Sequence, residues 1–240
     1  MTIKKILPSG YYILLSSIFI IITSCATVSY TPKVTLDVSP RTIHKNVQIE
    51  KLNDLTSGKD RKNPFTGFSV TNEKSLANDL DIVVTNSIVE DFSTNGVFDK
   101  VSRRTENADL IIRGDINTFY GKSRANLFAK ISYFIGIGAI AVAAATAEDA
   151  YYWGAVPILV WYFGVPVRKN DAEIEITLNV YNNKDELLGT YKGMAYDKTS
   201  SNMYKNESLA TPNLTNKTFS KAIQDIRDQI MGDYEKLSGE

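Results

Sequence analysis

The apolar and polar positions of the chain fall into two periods, two and 3.6, that change over at defined points. Val34-Thr35-Leu36-Asp37-Val38 alternates at period two, the pattern of a half-buried strand. Val47 and Ile49, with Leu52 beyond them, predict a second strand. Residues 53–72 are polar and carry Gly58, Pro64 and Gly67, turn-forming types that predict a loop. The longer period then takes over. Leu76, Leu80, Val83, Val84, Ile88 and Phe92 share one face of a helix, and Gly96 ends it. Val97, Phe98 and Val101 follow, then a strong strand candidate from Ala108 to Ile116. Further on, Ile174, Ile176, Leu178 and Val180 alternate with Glu173, Glu175, Thr177 and Asn179. Asn182-Asn183-Lys184-Asp185 supplies a turn, and the return strand runs from about Leu187 to Tyr196. The Ser, Thr and Asn content of 199–218 predicts a surface loop, with Thr215 or Asn216 as a cap. Phe219, Ile223, Ile226, Ile230, Tyr234 and Leu237 form the stripe of a last helix. These elements predict an α+β fold: a mixed or antiparallel sheet with two helices packed on one face.

Residues 127–169 break the pattern and predict an apolar, helical insertion in a single domain spanning 34–240. Ile131 to Ala147 is 17 residues without a charge; Glu148-Asp149 interrupts, and Ala150 to Val167 adds another 18. A membrane-spanning helix needs about 20 apolar residues, with a range of about 17–25, so each half sits at the lower limit. The first half is rich in Gly and Ala, which suits close helix contact. The second carries Trp153, Trp161, Tyr162 and Phe163, aromatic side chains that favour a membrane–water interface. Pro157 and Pro166 argue against one straight helix there. Three readings stay open: a buried hairpin covering the sheet, a segment that dips into a membrane surface, or an oligomer contact. The alternation that lipid-facing barrel strands require is missing, so partial interfacial insertion is the preferred membrane version.

The N-terminus adds chemistry. Lys4 and Lys5 precede an apolar run from Tyr11 to Ile22, and Ile22-Thr23-Ser24-Cys25 follows with the chain's single cysteine. A charged start, an apolar core and small residues before a cleavage site make a secretory signal peptide, here residues 1–24. The four residues resemble the lipobox of bacterial lipoproteins. That resemblance implies cleavage between Ser24 and Cys25 and a diacylglyceryl group on the Cys25 sulfur, so that membrane lipid is the first partner. Residues 25–33 then form a lipidated tether; the eight residues after Cys25 span roughly 25–30 Å when extended. No acidic residue stands next to Cys25, which favours an outer-membrane over an inner-membrane destination.

Charge and composition exclude more than they identify. The 240 residues hold 27 basic and 27 acidic side chains, and removing Lys4 and Lys5 leaves 25 against 27. No basic excess exists to neutralise nucleic-acid phosphates. With Cys25 acylated no thiol remains for a disulfide or a thiolate metal site, and one histidine, His44, excludes a multi-histidine centre. No metal or cofactor is expected. Gly136-Ile137-Gly138-Ala139-Ile140-Ala141 matches a dinucleotide pattern but lacks the acidic residue about 20 positions on. The neighbouring carboxylates Asp79/Asp81 and Glu90/Asp91 are expected on a solvated helix surface, and Glu148/Asp149 in a polar turn. His44 has no identifiable partner in the sequence.

A second resemblance rests on the order of elements. Asn95-Gly96-Val97-Phe98-Asp99-Lys100-Val101 closes a helix, and Ala108-Asp109-Leu110-Ile111-Ile112-Arg113-Gly114-Asp115-Ile116 follows it. Then come Glu173 to Asn182 and Leu187-Leu188-Gly189-Thr190-Tyr191-Lys192-Gly193. This order resembles envelope lipoproteins that include the curli secretion channel family and the penicillin-binding-protein activators, over roughly residues 74–237 without the insertion. It implies an outer-membrane lipoprotein that acts by protein–protein contact, with no catalytic residue to carry over. The resulting expectation is a non-enzymatic binding, assembly or transport-accessory module, with a protein partner and a homo-oligomer both open. Carriage of a lipid or other apolar ligand is the alternative. A surface hydrolase is the remoter one, since no Gly-x-Ser-x-Gly elbow is present.

Overall fold

The computed structural model describes residues 29–64, 67–105, 107–146, 160–202, 204–205 and 207–239. The expected signal peptide with Ser24, Cys25 and Trp153 lies outside the described residues.

Seven strands form one mixed sheet. β1 (Ile43–Ile49) lies parallel to both β4 (Phe98–Ser102) and β5 (Leu110–Ala125). β5 continues antiparallel to β6 (Arg168–Asn182), and β6 to β7 (Leu187–Ser201), giving the order β4-β1-β5-β6-β7. β2 (Asn53–Asp54) and β3 (Gly67–Ser69) lie inside the expected 53–72 loop and pair with β5. α1 (Leu80–Thr94) packs on β4, and α3 (Glu207–Gly232) lies across β5, β6 and β7. A short α4 (Tyr234–Ser238) closes the chain. Both long packing helices share one core with the sheet. Val84, Ile88 and Phe92 of α1 and Phe219, Ile223 and Ile226 of α3 are fully buried with Ile112, Ile116, Ile174 and Ile176. The expected α+β layering, with helices on one sheet face, is therefore the observed one.

α3 approaches the strands closely because two of them present glycine there. A methyl group on Gly121 would collide with the Thr215 hydroxyl, and one on Gly193 with the carbonyl of Ala222. Gly96 stops α1 with φ at +64°, a left-handed conformation that glycine adopts without a Cβ penalty.

Several expectations are corrected. Residues 34–38 are not a strand. The segment from Tyr30 to Ser39 runs extended along α3, and helix side chains take the place of a neighbouring strand. Asn216 accepts hydrogen bonds from the Tyr30 hydroxyl (2.8 Å) and the Lys33 N–H (3.1 Å), and Ser220 Oγ accepts from the Thr35 N–H (2.9 Å). Arg227 donates to the carbonyl of Asp37 (2.8 Å), and Ser87 of α1 to that of Pro32 (2.6 Å). Val34 and Leu36 turn inward onto the core, so the period-two pattern is real but belongs to a strap. Residues 30–33 of the expected tether are thereby held to the domain.

The helix expected from Leu76 begins at Leu80, because Leu76 forms a backbone bridge with Tyr30 instead. The loop expected over 199–218 is largely α3. Its hydroxyls are satisfied inside the helix: Thr215 donates to the Thr211 carbonyl, Thr218 to Leu214 and Ser220 to Asn216. Asp91, expected at the surface, is 4% exposed and faces Arg227, itself 3% exposed. His44 does have a partner: its Nδ1 lies 3.0 Å from Asp99, on the adjacent parallel strand and at the surface.

Candidate membrane-facing site

The connection between β5 and β6 leaves one end of the sheet. Asn126 forms its stem: its carboxamide oxygen caps α2 (Leu127–Thr146) by accepting the Ala129 N–H (2.7 Å). Its carboxamide nitrogen donates to Pro166 O (2.6 Å), and its backbone N–H to Val167 O. On the described part of α2, Ala129, Ser132 and Gly136 form a buried stripe. A single-turn helix, Val160–Phe163, lies against this stripe, and the Trp161 indole N–H donates to Ser132 Oγ (3.0 Å).

Much of the rest of the described insertion is apolar and exposed. Among the described residues α2 has no extended contact with any strand or long helix of the domain. Leu127 is 73% exposed, Phe134 65% and Phe163 84%, and Phe128, Ile131, Ile135 and Tyr162 are exposed as well. A buried hairpin covering the sheet is therefore not what the described half of the insertion forms. Of the four aromatic residues singled out from the sequence, the structure brings Trp161, Tyr162 and Phe163 together beside α2. Trp161 is half-buried and the other two project outward. Among the described residues no helix is long and apolar enough to cross a membrane.

The strap starts at this same end. α3 runs antiparallel to β7: Thr211 near its start bonds Asn170 Oδ1, Lys221 pairs with Asp197, and Gln229 near its finish bonds Lys192. Tyr30 meets α3 at Asn216, while Asp37 meets it at Arg227. The Tyr30 end of the strap is therefore the one nearer the strand ends Ala125, Arg168 and Ser201, from which the insertion emerges.

The sheet face away from the helices is open, and its charges are segregated. Next to the insertion, register aligns Arg124 with Lys169, and then Lys122, Asp171 and Lys198 in one row. Asp171 is buried with its Oδ1 3.5 Å from Arg124 Nε, and Lys122 Nζ lies 3.6 Å from Asp60. The nearby Lys198 ammonium, of like charge, lowers the Lys169 pKa. The following row is Tyr120, Glu173 and Tyr196; the Tyr120 hydroxyl donates to Glu173 (2.8 Å). Burial and that carboxylate push the Tyr120 pKa up.

Two clefts lie among the described residues near these elements. One, about 440 Å³, lies beside the start of α1 and is lined by Asp54, Arg61, Glu73, Asp79 and Asp81. Arg61 is paired with Asp54, and Asp81 with Lys51. The other, about 340 Å³, is lined by Lys59, Lys62, Asn63, Pro64, Lys122 and Arg124. Among the described residues no cluster of three or more His, Cys, Asp or Glu side chains is arranged to hold a metal ion. The sequence reading missed the basic end of the sheet, because its members come from three strands and a loop that only the register assembles.

No family model and no curated protein matches the chain. Solved structures do superpose on it, two of which follow. A Xanthomonas campestris protein of family DUF330 is 11% identical, with a TM-score of 0.46 over 86% of this chain and 99% of that one. A Caulobacter crescentus CB15 protein described as a candidate lipoprotein is 8% identical, with a TM-score of 0.33 over 67% of this chain and 84% of that one. The descriptions of these two name neither a curli secretion channel nor a penicillin-binding-protein activator, and neither carries a function to this chain.

Proposed function

We propose that this is a lipid-anchored protein of the bacterial envelope, held against a membrane by two contacts at one end of its domain. One is the acylated Cys25; the other is the apolar insertion. The domain then acts without catalysis, offering the remainder of its open sheet face to a protein partner in the envelope. The absence of an acidic residue beside Cys25 supports the outer membrane as its site.

The observation that carries this reading is the convergence of the strap and the insertion. Tyr30 is five residue steps from Cys25, and at about 3.3–3.6 Å each they span up to roughly 17 Å. Gly121, under Thr215 beside the Tyr30 anchor point, is four residues short of Ala125, or about 13 Å along the strand. The acyl chains on Cys25 thus have the reach to enter a bilayer on which α2 rests. Exposed aromatic and aliphatic side chains suit that interface.

Flotation with phosphatidylcholine vesicles tests the second contact. The chain from residue 25 onward, with Cys25→Ala, retains every described residue and removes the acyl chains. It is expected to float with vesicles, and to stay in solution when Phe128, Phe134, Tyr162 and Phe163 are all changed to Ser. Equal flotation of the two forms, or none by either, overturns the reading. Assembly into oligomers through the same four residues without vesicles would favour the oligomer contact instead.

A further inference from the structure

The geometry points to an anionic-headgroup contact on the basic end of the open sheet face, directly beside the insertion. This inference rests on the membrane-facing reading above and specifies the lipid chemistry that this end would meet.

Six cations gather there: Lys59, Lys62, Lys122, Arg124, Lys169 and Lys198. Two carboxylates stand among them, and both are already engaged. Asp60 lies against Lys122, and Asp171 is buried against Arg124. Glu173, one row further along the sheet, accepts the Tyr120 hydroxyl. Lys59, Lys62, Lys169 and Lys198 form no ion pair among the described residues. Lys169 and Lys198 instead stand as diagonal neighbours of like charge on β6 and β7, a repulsion that an anion between or above them relieves. The excess is local, since the whole chain balances its charges. A solvated surface does not require such segregation, whereas a surface facing phosphates does.

Position selects the source of those phosphates. Arg124 is the third residue before Leu127, and Lys169 the second after Val167, so the cations flank both stems of the apolar insertion. With α2 resting in the interfacial layer, the cations lie at headgroup height. A juxtamembrane Lys or Arg contributes about 1 kcal/mol of attraction to an anionic bilayer, roughly fivefold in binding per residue, and salt weakens it. The 340 Å³ cleft between Lys59, Lys62, Lys122 and Arg124 gives one headgroup a concave seat.

The test compares vesicles of phosphatidylcholine alone with vesicles that also contain phosphatidylglycerol. It uses the chain from residue 25 with Cys25→Ala, and the same chain with Lys59, Lys62, Lys169 and Lys198 changed to Gln. These four exposed or half-buried side chains contribute no core contact, and an unchanged thermal melt verifies folding. The parent chain is expected to bind the phosphatidylglycerol vesicles at least tenfold more tightly than phosphatidylcholine, with the advantage falling as salt rises. The Gln variant is expected to bind both vesicle types alike, at the parent's phosphatidylcholine level. Equal parent binding to the two vesicle types overturns this inference and leaves the membrane-facing reading standing. A preference that survives in the Gln variant overturns it too. Binding to neither vesicle type removes the membrane-facing reading, and this inference with it.

Discussion

Changing Arg227 to Met leaves Asp91 as a buried carboxylate without a counter-charge. In the native fold the Arg227 guanidinium does three things at once: it faces Asp91 from α3 (Nη1 to Oδ1, 3.7 Å), donates to the Asp37 carbonyl of the strap, and fills space between the two helices. Met replaces the volume but neither of the polar roles. Removing one member of a buried pair costs about 3–5 kcal/mol, against a total of about 5–15 kcal/mol for a domain. At about 2–4 °C per kcal/mol for a chain of this size, the midpoint should fall by roughly 6–20 °C. The native pairing is imperfect, because Asp91 Oδ2 and Arg227 Nη1 each lack a hydrogen-bond partner. Replacing both residues with Leu and Met should accordingly recover most of the loss. The pH dependence has a definite sign. Burial raises the Asp91 pKa above its ordinary value, against the opposing pull of Arg227 and Asn95. The folded form then binds the proton more readily than the unfolded chain, so the penalty is full above the raised pKa. It fades as pH falls through that pKa toward the ordinary carboxylate range. Without Arg227 the pKa rises further, and the gap between variant and parent should narrow on acidification. Urea unfolding of the chain from residue 25 with Cys25→Ala, at pH 7 and pH 5, measures this. An Arg227→Met variant within about 0.5 kcal/mol of the parent, or a double variant no more stable than the single one, would refute the reasoning.

Two further perturbations probe how the parts are joined. Gly193→Ala places a methyl group against the Ala222 carbonyl, so α3 must lift from β7; a loss of about 1–3 kcal/mol in thermal unfolding is expected, and a neutral result would mean the helix is free to shift. Asn126→Ala removes the α2 cap and the tie to Pro166; amide exchange in the first turn of α2 should speed up by an amount matching about 0.5–2 kcal/mol while β6 stays protected, and equal acceleration of both would show that the insertion is not an independent unit.

The parts of the fold that followed from the sequence are those in which burial alone sets the pattern. The β6 alternation of Ile174 through Val180 and the α3 stripe from Phe219 to Ile230 have apolar partners on every inward position. β5 was legible only to Ile116, because a bulge between Ile116 and Thr118 shifts the inward parity to Phe119, Gly121 and Ser123. Two of those three are small or polar, so the continuation to Ala125 carries no apolar rhythm. Residues 34–38 obey the strand rhythm while bonding to helix side chains, a distinction that periodicity does not contain. Asp91 was readable in principle. It falls three residues after Ile88 on the apolar stripe of α1, as Arg227 falls four after Ile223 on α3, and two lone opposite charges on two buried stripes form a pair. The basic end of the candidate site was not readable, because Lys59, Lys122, Lys169 and Lys198 are brought together only by strand register.

The strap also determines how the domain responds to force. A pull on an anchored Cys25 enters the fold at Tyr30 and runs along the axis of α3, parallel to the helix that holds the strap. The bonds from Asn216, Ser220 and Arg227 are then loaded side by side, in shear, and must give way together. The same bonds arranged at right angles would open one after another like a zipper. If the proposed Cys25 anchor holds, the domain is thus mechanically tough along the one direction in which a pull on that anchor would strain it.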